Sequence, residues 1–356
     1  MIEGLHHITL ICSDAQRTID FYTQTLGLRL IKLTVNFDDP GSYHLYFGDE
    51  RGSPGSAITF FVWPGAPRGK TGIGGTHHFA LTIHGYDQLL RWKRRLTDLK
   101  IRVDGPFDRR YFQSIYFRDP DGCRIEIATT QPGLTLDESL ANLGSRVISP
   151  PDREQTRPTD ETWPDPVPQI TAGMRLRFGM HHISAICTDL DRTHEFYGNL
   201  LGMKRVKMLA NFDDPSVAHW FWGASDGRPG SLISYFQYTE DRMRRARLGA
   251  GLTHHFALAV ADDETQLHYR EHLIAAGLRV SPVMDRIYFH SIYTNDPDGH
   301  VVELATRGPG FAVDEPLEEL GSSLTLPPWL EKHRAQIEAR LPTVAIPAWK
   351  DVVATA

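Results

Sequence analysis

The chain has few cysteines, no long apolar run and no excess of basic residues. Among its 356 residues there are three cysteines, Cys12, Cys123 and Cys187, too few and too far apart for a disulfide framework or a zinc knuckle. A reducing cytoplasm is therefore the predicted compartment. No apolar run approaches the roughly 20 residues of a membrane helix, and the N-terminus lacks a secretory signal pattern. We therefore expect no membrane insertion.

Charge excludes a further class of function. The chain has 38 basic and 44 acidic residues, a net charge of -6, and no basic patch of the kind that binds nucleic acid. The only basic cluster, at residues 242–247, is typical of a solvated helix or turn. The composition, 41% hydrophobic and 23% charged, is globular, and the length predicts two domains. The number of subunits stays open, with a homo-oligomer among the alternatives.

The chain repeats itself at a nearly constant offset. The segment Asn36–Pro40 recurs as Asn211–Pro215, and Asp119–Gly122 recurs as Asp296–Gly299, so the protein is a tandem duplication. A stretch rich in Pro, Asp and Thr separates the halves and reads as a linker. The predicted boundaries are two modules at about 1–65 and 75–130 with an extension to 150, a linker at 151–178, two modules at about 179–240 and 252–306 with an extension to 330, and a C-terminal tail at 331–356.

Histidine is the residue that the chain has in abundance. It has 17, eight of them in four doublets: His6-His7, His77-His78, His181-His182 and His254-His255. A strand-like run and then a helical pattern follow each doublet. The predicted helices run from Asp14 to Leu26, Tyr86 to Leu99, about Asp191 to Leu201 and Asp263 or Glu264 to Gly277. Strand-like runs such as Tyr43–Phe47, Ala57–Trp63, Ile115–Arg118 and His300–Ala305 follow the helices. The order β-α-β-β-β, four times over, predicts an α+β fold.

Two glutamates stand at one fixed spacing from two of the doublets. Glu126 follows His78 and Glu303 follows His255 by the same interval. Because side chains alternate along a strand, the second histidine of each doublet is expected on the less bulky face. The first histidine is expected on the apolar packing face, provided that the strand carries no bulge.

The turn at Asp296–Gly299 fixes a hairpin register. A type I turn that ends in a left-handed glycine places Tyr293 opposite Glu303, and the first half repeats this with Tyr116 opposite Glu126. Arg286 and its equivalent Arg109 lie one strand upstream. Alternatively, Tyr293 is a cross-strand packing residue and Arg286 a surface ion-pair partner. The Asp-Pro-Asp-Gly turns read as structural. The Asn-Phe-Asp-Asp-Pro repeats fit substrate-facing loops and plain turns equally well.

Two neutral imidazoles and one carboxylate form the facial triad typical of non-haem Fe(II) oxygenases. Manganese is also compatible, whereas zinc would bind but cannot donate an electron to dioxygen. Spacing alone leaves two ways to assemble such triads. Neighbour pairing of modules joins His7, His78 and Glu126 in one site and His182, His255 and Glu303 in the other. Exchanged pairing joins His7, His255 and Glu303 in one site and His182, His78 and Glu126 in the other.

Four βαβββ modules with a histidine on each first strand resemble the vicinal-oxygen-chelate superfamily, which includes glyoxalases, fosfomycin-resistance proteins and extradiol dioxygenases. The resemblance covers the chain apart from the linker and tail. It implies that the modules pair into two open, cup-shaped barrels that hold a divalent metal. Residues 5–9 and 253–256, with Arg286, Tyr293 and Glu303, look like the hydroquinone ring-cleaving dioxygenases of this superfamily.

That closer resemblance implies the exchanged pairing and a set of site residues. It implies His7, His255 and Glu303 as metal ligands, surrounded by His6, Thr9, His254, Arg286 and Tyr293. The implied substrates are dioxygen and a small electron-rich aromatic, with Tyr293 or His254 as acid or base and Arg286 stabilising oxyanion charge. If strand alternation held strictly, His254 would be remote and Tyr293 the better candidate. The second set looks equally intact, and whether it also binds metal stays open.

Two other classes of function remain open at this stage. One is a glyoxalase-like lyase, isomerase or thiol transferase, which would need no redox change at the metal; such enzymes commonly use more carboxylate ligands. The other is sequestration of aromatic ligands or drugs without catalysis. In that case aromatic side chains would line the pockets, with the candidates Phe37, Trp63, Phe212, Trp220 and Trp222.

Overall fold

A computed structural model describes residues 1–150 and 157–348. The first half holds two modules. Module 1 contains β1 (Gly4–Cys12), α1 (Ala15–Asp20), β2 (Arg29–Asn36), β3 (Asp39–Gly48) and β4 (Ala57–Val62). Module 2 contains β5 (Thr76–Ile83), α2 (Tyr86–Asp98), β6 (Asp104–Asp108), β7 (Gln113–Arg118) and β8 (Arg124–Thr129), and is followed by β9 (Val147–Ile148).

The second half repeats the order of the first. Module 3 contains β10 (Met180–Cys187), α3 (Leu190–His194), β11 (Lys204–Ala210), β12 (Ala218–Gly223) and β13 (Leu232–Gln237). Module 4 contains β14 (Thr253–Val260), α4 (Asp263–Ala275), β15 (Met284–Asp285), β16 (Phe289–Asn295) and β17 (Val301–Pro309), and α5 (Arg334–Glu338) lies in the tail. Single 3₁₀ turns lie at Leu134–Leu136, Leu140–Asn142, Ala172–Met174, Phe311–Val313, Leu317–Glu319 and Glu331–His333. The predicted linker and tail extend beyond the described residues at 151–156 and 349–356.

The four modules form two sheets, and each sheet joins modules from different halves. One has the strand order β15-β16-β17-β14-β1-β4-β3-β2, the other β6-β7-β8-β5-β10-β13-β12-β11-β9. Strand β1 pairs antiparallel with β14, and β10 pairs antiparallel with β5. Module 1 is therefore paired with module 4, and module 2 with module 3. The α+β class and the paired, cup-shaped modules are confirmed, and exchanged rather than neighbour pairing builds the sheets.

The helix ends follow their sequence signals. The Asp14 side chain accepts a hydrogen bond from the Arg17 N–H at 2.8 Å, which caps α1. The helix continues as a π-helical turn through Phe21–Thr25. Gly27 then takes φ 69°, a left-handed conformation that ends the helix because glycine has no Cβ to clash. At α4 the cap is Asp262, so the predicted start is confirmed to within one residue.

The predicted hairpin register is confirmed in both halves. Tyr293 lies opposite Glu303, and Tyr116 lies opposite Glu126. The turn closes as expected, because the Gly299 N–H donates to the Asp296 carbonyl at 3.0 Å. A tyrosine is thus placed on the strand next to each candidate carboxylate.

The Asp-Pro-Asp-Gly turns are structural, as predicted. Asp296 is buried, and its carboxylate accepts from the N–H groups of Asp298 and His300 and from the Tyr235 hydroxyl, the last at 2.8 Å. Asp298 accepts from both the N–H and the hydroxyl of Thr188, each at 2.8 Å. Burial raises the pKa of Asp296 to about 6, although these hydrogen bonds oppose the shift. The turn therefore has a pH-dependent stability.

Asp296→Asn should stabilise the protein at pH 7.5 more than at pH 5. An aspartate whose pKa rises on folding binds its proton more tightly in the folded state, so stability falls as the pH rises from about 4 to about 6. Asparagine does not ionise; its amide oxygen can still accept from the Asp298 and His300 N–H groups, and its NH₂ can donate to the Tyr235 hydroxyl oxygen. The difference in unfolding free energy between the variant and the wild type should therefore increase by roughly 1–3 kcal/mol from pH 5 to pH 7.5. Thermal unfolding midpoints of both proteins at both pH values measure this difference. A difference that is the same at pH 5 and pH 7.5 would contradict a raised pKa for Asp296.

Two buried lysines tie the extensions to the sheets. Lys32 on β2 is fully buried and contacts Asp314 and Glu315. In the other sheet Lys207 on β11 contacts Asp137 at 2.6 Å and Glu138 at 2.7 Å. A buried charge that lost its partners would be strongly destabilising. The repeated Asp-Glu pairs therefore attach the two extensions to the sheets through these lysines.

Cys12, Cys123 and Cys187 are buried, and each has a free thiol. Within residues 1–150 and 157–348, no helix has both the length and the apolar character needed to span a bilayer.

Candidate metal centres

Two histidines and a glutamate meet at the centre of the eight-stranded sheet. His7, His255 and Glu303 lie on β1, β14 and β17, three adjacent strands. The Glu303 Oε2 atom is 3.1 Å from His7 Nε2 and 2.9 Å from His255 Nε2. All three side chains are buried. We call them the first triad; the structure brings the predicted set together at one point.

This geometry suits a divalent metal. Metal–ligand bonds of about 2.1 Å at right angles place neighbouring donor atoms about 3 Å apart, which matches the two measured separations. Glu303 Oε1 accepts from the Ser291 hydroxyl, whereas Oε2 has no hydrogen-bond partner of good geometry among the described residues. A buried carboxylate oxygen without a donor needs an explanation, and a cation is the simplest one.

The charge states of the triad also suit coordination. Burial alone would raise the pKa of Glu303, but His7 and His255 together hold it well below its usual value. Burial lowers the pKa of His255. The carboxylate is therefore ionised, and the His255 imidazole is neutral with a lone pair to offer.

β-Bulges explain why the histidines come in doublets. The register between β1 and β14 shifts where His6 and His254 stand, and at a bulge two residues oppose one. The Nδ1 atoms within a doublet therefore lie close together, at 2.9 Å for His6 and His7 and 2.8 Å for His254 and His255. The alternation predicted for an unbulged strand does not hold here. The expectation that His254 is remote is wrong, because His254 lines the cavity described below.

His6 fixes which nitrogen of His7 carries the proton. Its Nε2 lies 3.1 Å from the carbonyl oxygen of Thr306, and a carbonyl can only accept, so this Nε2 bears the hydrogen. Burial and the neighbouring His7 lower the pKa of His6 to about 3, which leaves its Nδ1 as an acceptor for the His7 Nδ1–H. This tautomer leaves the Nε2 of His7 to face the triad.

Tyr293 and Arg286 stand beside the triad as a linked pair. The Arg286 Nε–H donates to the Tyr293 hydroxyl oxygen at 3.3 Å, and its Nη1 donates to Asp38 Oδ2 at 3.3 Å. Burial and the charge of Glu303 raise the pKa of Tyr293, so the phenol is neutral. Because its oxygen already accepts from Arg286, its own proton is available for another acceptor. Asp38 belongs to the Asn-Phe-Asp-Asp-Pro repeat, which thus faces the site.

His254 lies on the opposite wall with two aromatic rings. Its imidazole meets Phe61 and Trp63 edge to face, with centroid separations of 5.3 and 6.1 Å. Burial, and then the charge of His255, lower the pKa of His254 to about 4. At neutral pH this imidazole is therefore neutral. Because His255 offers its Nε2 to the triad, the His255 Nδ1–H donates to the His254 Nδ1 at 2.8 Å, and His254 carries its own hydrogen on Nε2.

A hydrogen-bonded chain that sequence reasoning missed runs behind the triad. Thr9 Oγ1 lies 2.8 Å from Thr59 Oγ1, Thr59 lies 3.0 Å from His44 Nε2, and His44 Nδ1 lies 2.9 Å from the Tyr46 hydroxyl. Among the described residues, Thr9 is not part of the cavity wall, whereas His44 and Tyr46 are. Thr9 therefore reaches the site through Thr59. The duplication contained a signal for the importance of His44, because His219 stands at the equivalent position in the second half.

These groups surround a cavity of about 380 Å³, which we call the first cavity. That volume suits a small ligand. Besides the triad histidines and the groups already described, its wall includes Asn36, Phe37, Phe289 and Val301.

The nine-stranded sheet holds a second triad of the same composition. Glu126 Oε2 lies 2.9 Å from His78 Nε2 and 3.2 Å from His182 Nε2, and both carboxylate oxygens of Glu126 lack hydrogen-bond partners in the described part of the chain. Arg109 pairs with Asp213 at 3.0 Å, as Arg286 does with Asp38. A cavity of about 240 Å³ adjoins this triad; we call it the second cavity.

The aromatic residues proposed for a sequestering pocket divide into two groups. Phe37 and Trp63 line the first cavity and Phe212 lines the second. Trp220 and Trp222 do not, because they alternate along β12 with the wall residues His219 and Phe221. Trp222 is instead buried with its Nε1–H donating to His194 at 3.0 Å. For these two tryptophans the prediction is wrong.

The family model described as the Glyoxalase/Bleomycin resistance protein/Dioxygenase superfamily matches residues 4–127 and 179–304. The chain belongs to this superfamily. The two matched segments coincide with the two duplicated halves, so the predicted resemblance to the superfamily is confirmed.

Several relatives that match over nearly the whole chain are named as dioxygenases. MhqO of Bacillus subtilis, which carries such a name, is 35% identical over 95% of each chain. The chlorohydroquinone/hydroquinone 1,2-dioxygenase of Sphingobium indicum is 28% identical over 93% of each chain. A solved Bacillus subtilis structure named as a dioxygenase aligns with a TM-score of 0.79 at 32% identity, covering 97% of this chain and 98% of that one.

Proposed function

We propose that the first triad binds Fe(II) and that the protein is a dioxygenase that opens the ring of a hydroquinone or a related electron-rich aromatic. The observation that carries the proposal is the buried triad of two imidazoles and one carboxylate beside a cavity of about 380 Å³. Such a triad leaves coordination positions open. Bound Fe(II) would supply the electron transfer that activates dioxygen; Mn(II) also suits the ligands. The names of the full-length relatives support the same chemistry.

The aromatic wall positions the substrate ring. Phe37, Phe61, Trp63 and Phe289 line the first cavity and provide apolar faces against which a ring can stack or pack edge to face. The polar side chains of the first cavity lie around the triad and at Arg286 and Tyr293. A hydroquinone, apolar in its ring and polar at two ends, matches this division.

Tyr293 and Arg286 are proposed to act on the developing oxyanion. The neutral Tyr293 hydroxyl has its proton free, because its oxygen accepts from Arg286. Arg286 is held by Asp38 and so keeps its positive charge beside the same point. A positioned proton donor and a fixed cation both stabilise negative charge that develops on a substrate oxygen.

His254 is proposed as a hydrogen-bond donor to the substrate and Thr9 as a positioning residue. The His254 Nδ1 accepts from the His255 Nδ1–H, so the His254 Nε2–H can donate to a substrate oxygen. Thr9 acts through Thr59 on His44, so its role is to hold the His44 ring. His6 sets the tautomer of His7 from behind the triad.

The two other classes of function have less support. Relatives named as a lactoylglutathione lyase and a metallothiol transferase match only 57% and 36% of this chain. Simple sequestration of aromatics gives no reason to keep two complete triads with carboxylate oxygens that lack hydrogen-bond donors. The cavity walls, the triads and the relatives together favour the dioxygenase.

Oxygen uptake tests the proposal. The protein is loaded with Fe(II) without oxygen and then mixed with methylhydroquinone in aerated buffer. We expect one dioxygen consumed per ring opened, and no product from the metal-free protein. Product without oxygen uptake, or activity supported equally by Ni(II) or Zn(II), would favour the lyase class. Tight binding of the aromatic with no turnover, unchanged by metal removal, would favour sequestration.

A further inference from the structure

The two cavities adjoin triads of the same composition, but two charged residues, Arg124 and Asp104, line only the second cavity. Val301 lines the first cavity, two residues before Glu303 on β17. The equivalent residue of the second cavity is Arg124, two residues before Glu126 on β8. Tyr46 of the first cavity is likewise replaced by Phe221. Relative to the first cavity, the second therefore lacks this hydroxyl and has an additional guanidinium and an additional carboxylate, that of Asp104.

Arg124 has no acidic partner in the described part of the chain. Its Nη1–H donates to the Nε2 atom of His77 at 3.0 Å, and no carboxylate lies within ion-pair distance. Two acidic groups are near enough to act on its charge, Asp104 and Asp213. Each of them is already paired, Asp104 with Arg102 at 3.3 Å and Asp213 with Arg109 at 3.0 Å.

A half-buried guanidinium that lacks an anion is expected to attract one. A neutral imidazole offers Arg124 a lone pair but no negative charge, so most of its five donor N–H groups lack a charged acceptor. Arginine is the side chain best suited to a carboxylate, because its planar fork matches the two carboxylate oxygens. The cavity wall itself is the place where a ligand can supply that anion.

The position of Arg124 relative to the triad restricts the ligand. Residues two apart on a strand project from the same face and are separated by roughly 6.6 Å along it. A ligand that reaches both the triad and Arg124 must therefore span about the width of a substituted ring. The wall of the second cavity also includes Phe107, Phe112 and Phe236, whose apolar faces can pack against a ring.

We propose that the second cavity is a second metal site and that Arg124 makes it bind aromatic diols bearing a carboxylate, whereas the first cavity takes uncharged diols. The metal part of the proposal depends on His78, Glu126 and His182. A metal on the His78 Nε2 requires the hydrogen of His78 on Nδ1, which His77 Nδ1 accepts; the Nε2–H of His77 then faces Arg124, whose guanidinium gives up this contact and is free for a ligand. The carboxylate part depends on Arg124. Neither part requires that the first cavity cleave hydroquinone, so each can fail separately from the proposed function.

Metal content tests the first part. After loading with Fe(II) without oxygen and removal of unbound metal, wild-type protein should hold two irons per chain, and Glu126→Gln should hold one. Metal analysis of the folded proteins gives the ratio directly. One iron in both proteins would overturn the second metal site.

Ligand binding without oxygen tests the second part, with hydroquinone and 2,5-dihydroxybenzoate as probes in titration calorimetry. Arg124→Val should weaken binding of the carboxylate probe roughly 10- to 100-fold, the range expected for a charged hydrogen bond, and leave the binding of hydroquinone within threefold. Arg124→Lys, which keeps the charge, should retain more affinity than Arg124→Val. Equal losses in both variants, or no loss, would overturn the role of Arg124.

The first cavity offers a matched gain-of-function variant. Val301→Arg places a guanidinium at the equivalent position and should give the chain a second binding site for 2,5-dihydroxybenzoate. This variant keeps the proposal testable even if Arg124→Val fails to fold. Binding of a single equivalent, as in wild type, would show that an arginine at this position does not select a carboxylate.

Discussion

Replacement of Glu303 by glutamine is expected to empty the first triad and to abolish cleavage of methylhydroquinone. The neutral amide is a poor ligand for a hard cation, while its oxygen can still accept from Ser291, so the fold should survive. Loss of hydrogen bonds around a metal site already costs roughly 10–100-fold in affinity or activity, and loss of a charged ligand should cost more. Metal analysis and turnover measured on the same sample check both effects.

Glu126→Gln is the matched control, since it removes the equivalent carboxylate from the second triad and should leave the first one metallated. Exchanged pairing adds a sharper expectation. His7→Ala combined with Glu303→Gln should lose no more metal than either change alone, because both act on one site. His7→Ala combined with Glu126→Gln should empty both. If instead His7→Ala and Glu126→Gln removed the same metal, the ligand assignment would have to be rebuilt.

Tyr293→Phe is expected to keep the metal and to lower the turnover of methylhydroquinone by roughly 10²–10⁴-fold, the usual effect of losing one positioned proton donor. The variant removes only the hydroxyl. Arg286 loses one acceptor but keeps Asp38 at 3.3 Å, so the wall should hold its shape. Turnover and iron content, measured together, distinguish a catalytic effect from a loss of metal.

The second cavity offers the control for this prediction. Tyr116→Phe makes the same change beside Glu126 and should leave turnover of methylhydroquinone close to wild type, because uncharged diols are expected to react in the first cavity. Unchanged kinetics in Tyr293→Phe would identify Tyr293 as a cross-strand packing residue, the alternative that the sequence left open.

Local sequence signals predicted most of the fold because they act over few residues. The turn at Asp296–Gly299 determines its own hairpin, which is why the pairing of Tyr293 with Glu303 could be derived by counting. Helix ends followed caps such as Asp14 for the same reason. The duplication then multiplied each signal, since a pattern that recurs at a fixed offset is hard to produce by chance.

Features that depend on contacts between distant segments were harder to derive. Spacing left both module pairings open, because each satisfies the same strands; only the contact of β1 with β14 decides between them. The bulges at His6 and His254 depend on the partner strand and so were invisible in either strand alone. Asp38 and His44 reach the cavity from module 1, and nothing in their local sequence shows that module 4 faces them.

Reciprocal contacts at the middle of the molecule have a consequence for its origin. The Leu5 N–H donates to the Gly230 carbonyl, and the Met180 N–H, at the equivalent place in the other half, donates to the Gly55 carbonyl. Such two-way contacts are the mark of an isologous twofold interface. The chain is thus organised like a dimer of half-chains that exchange modules, with both half-chains joined in one polypeptide. Coordination is tied to this assembly, since neither half alone carries a complete triad.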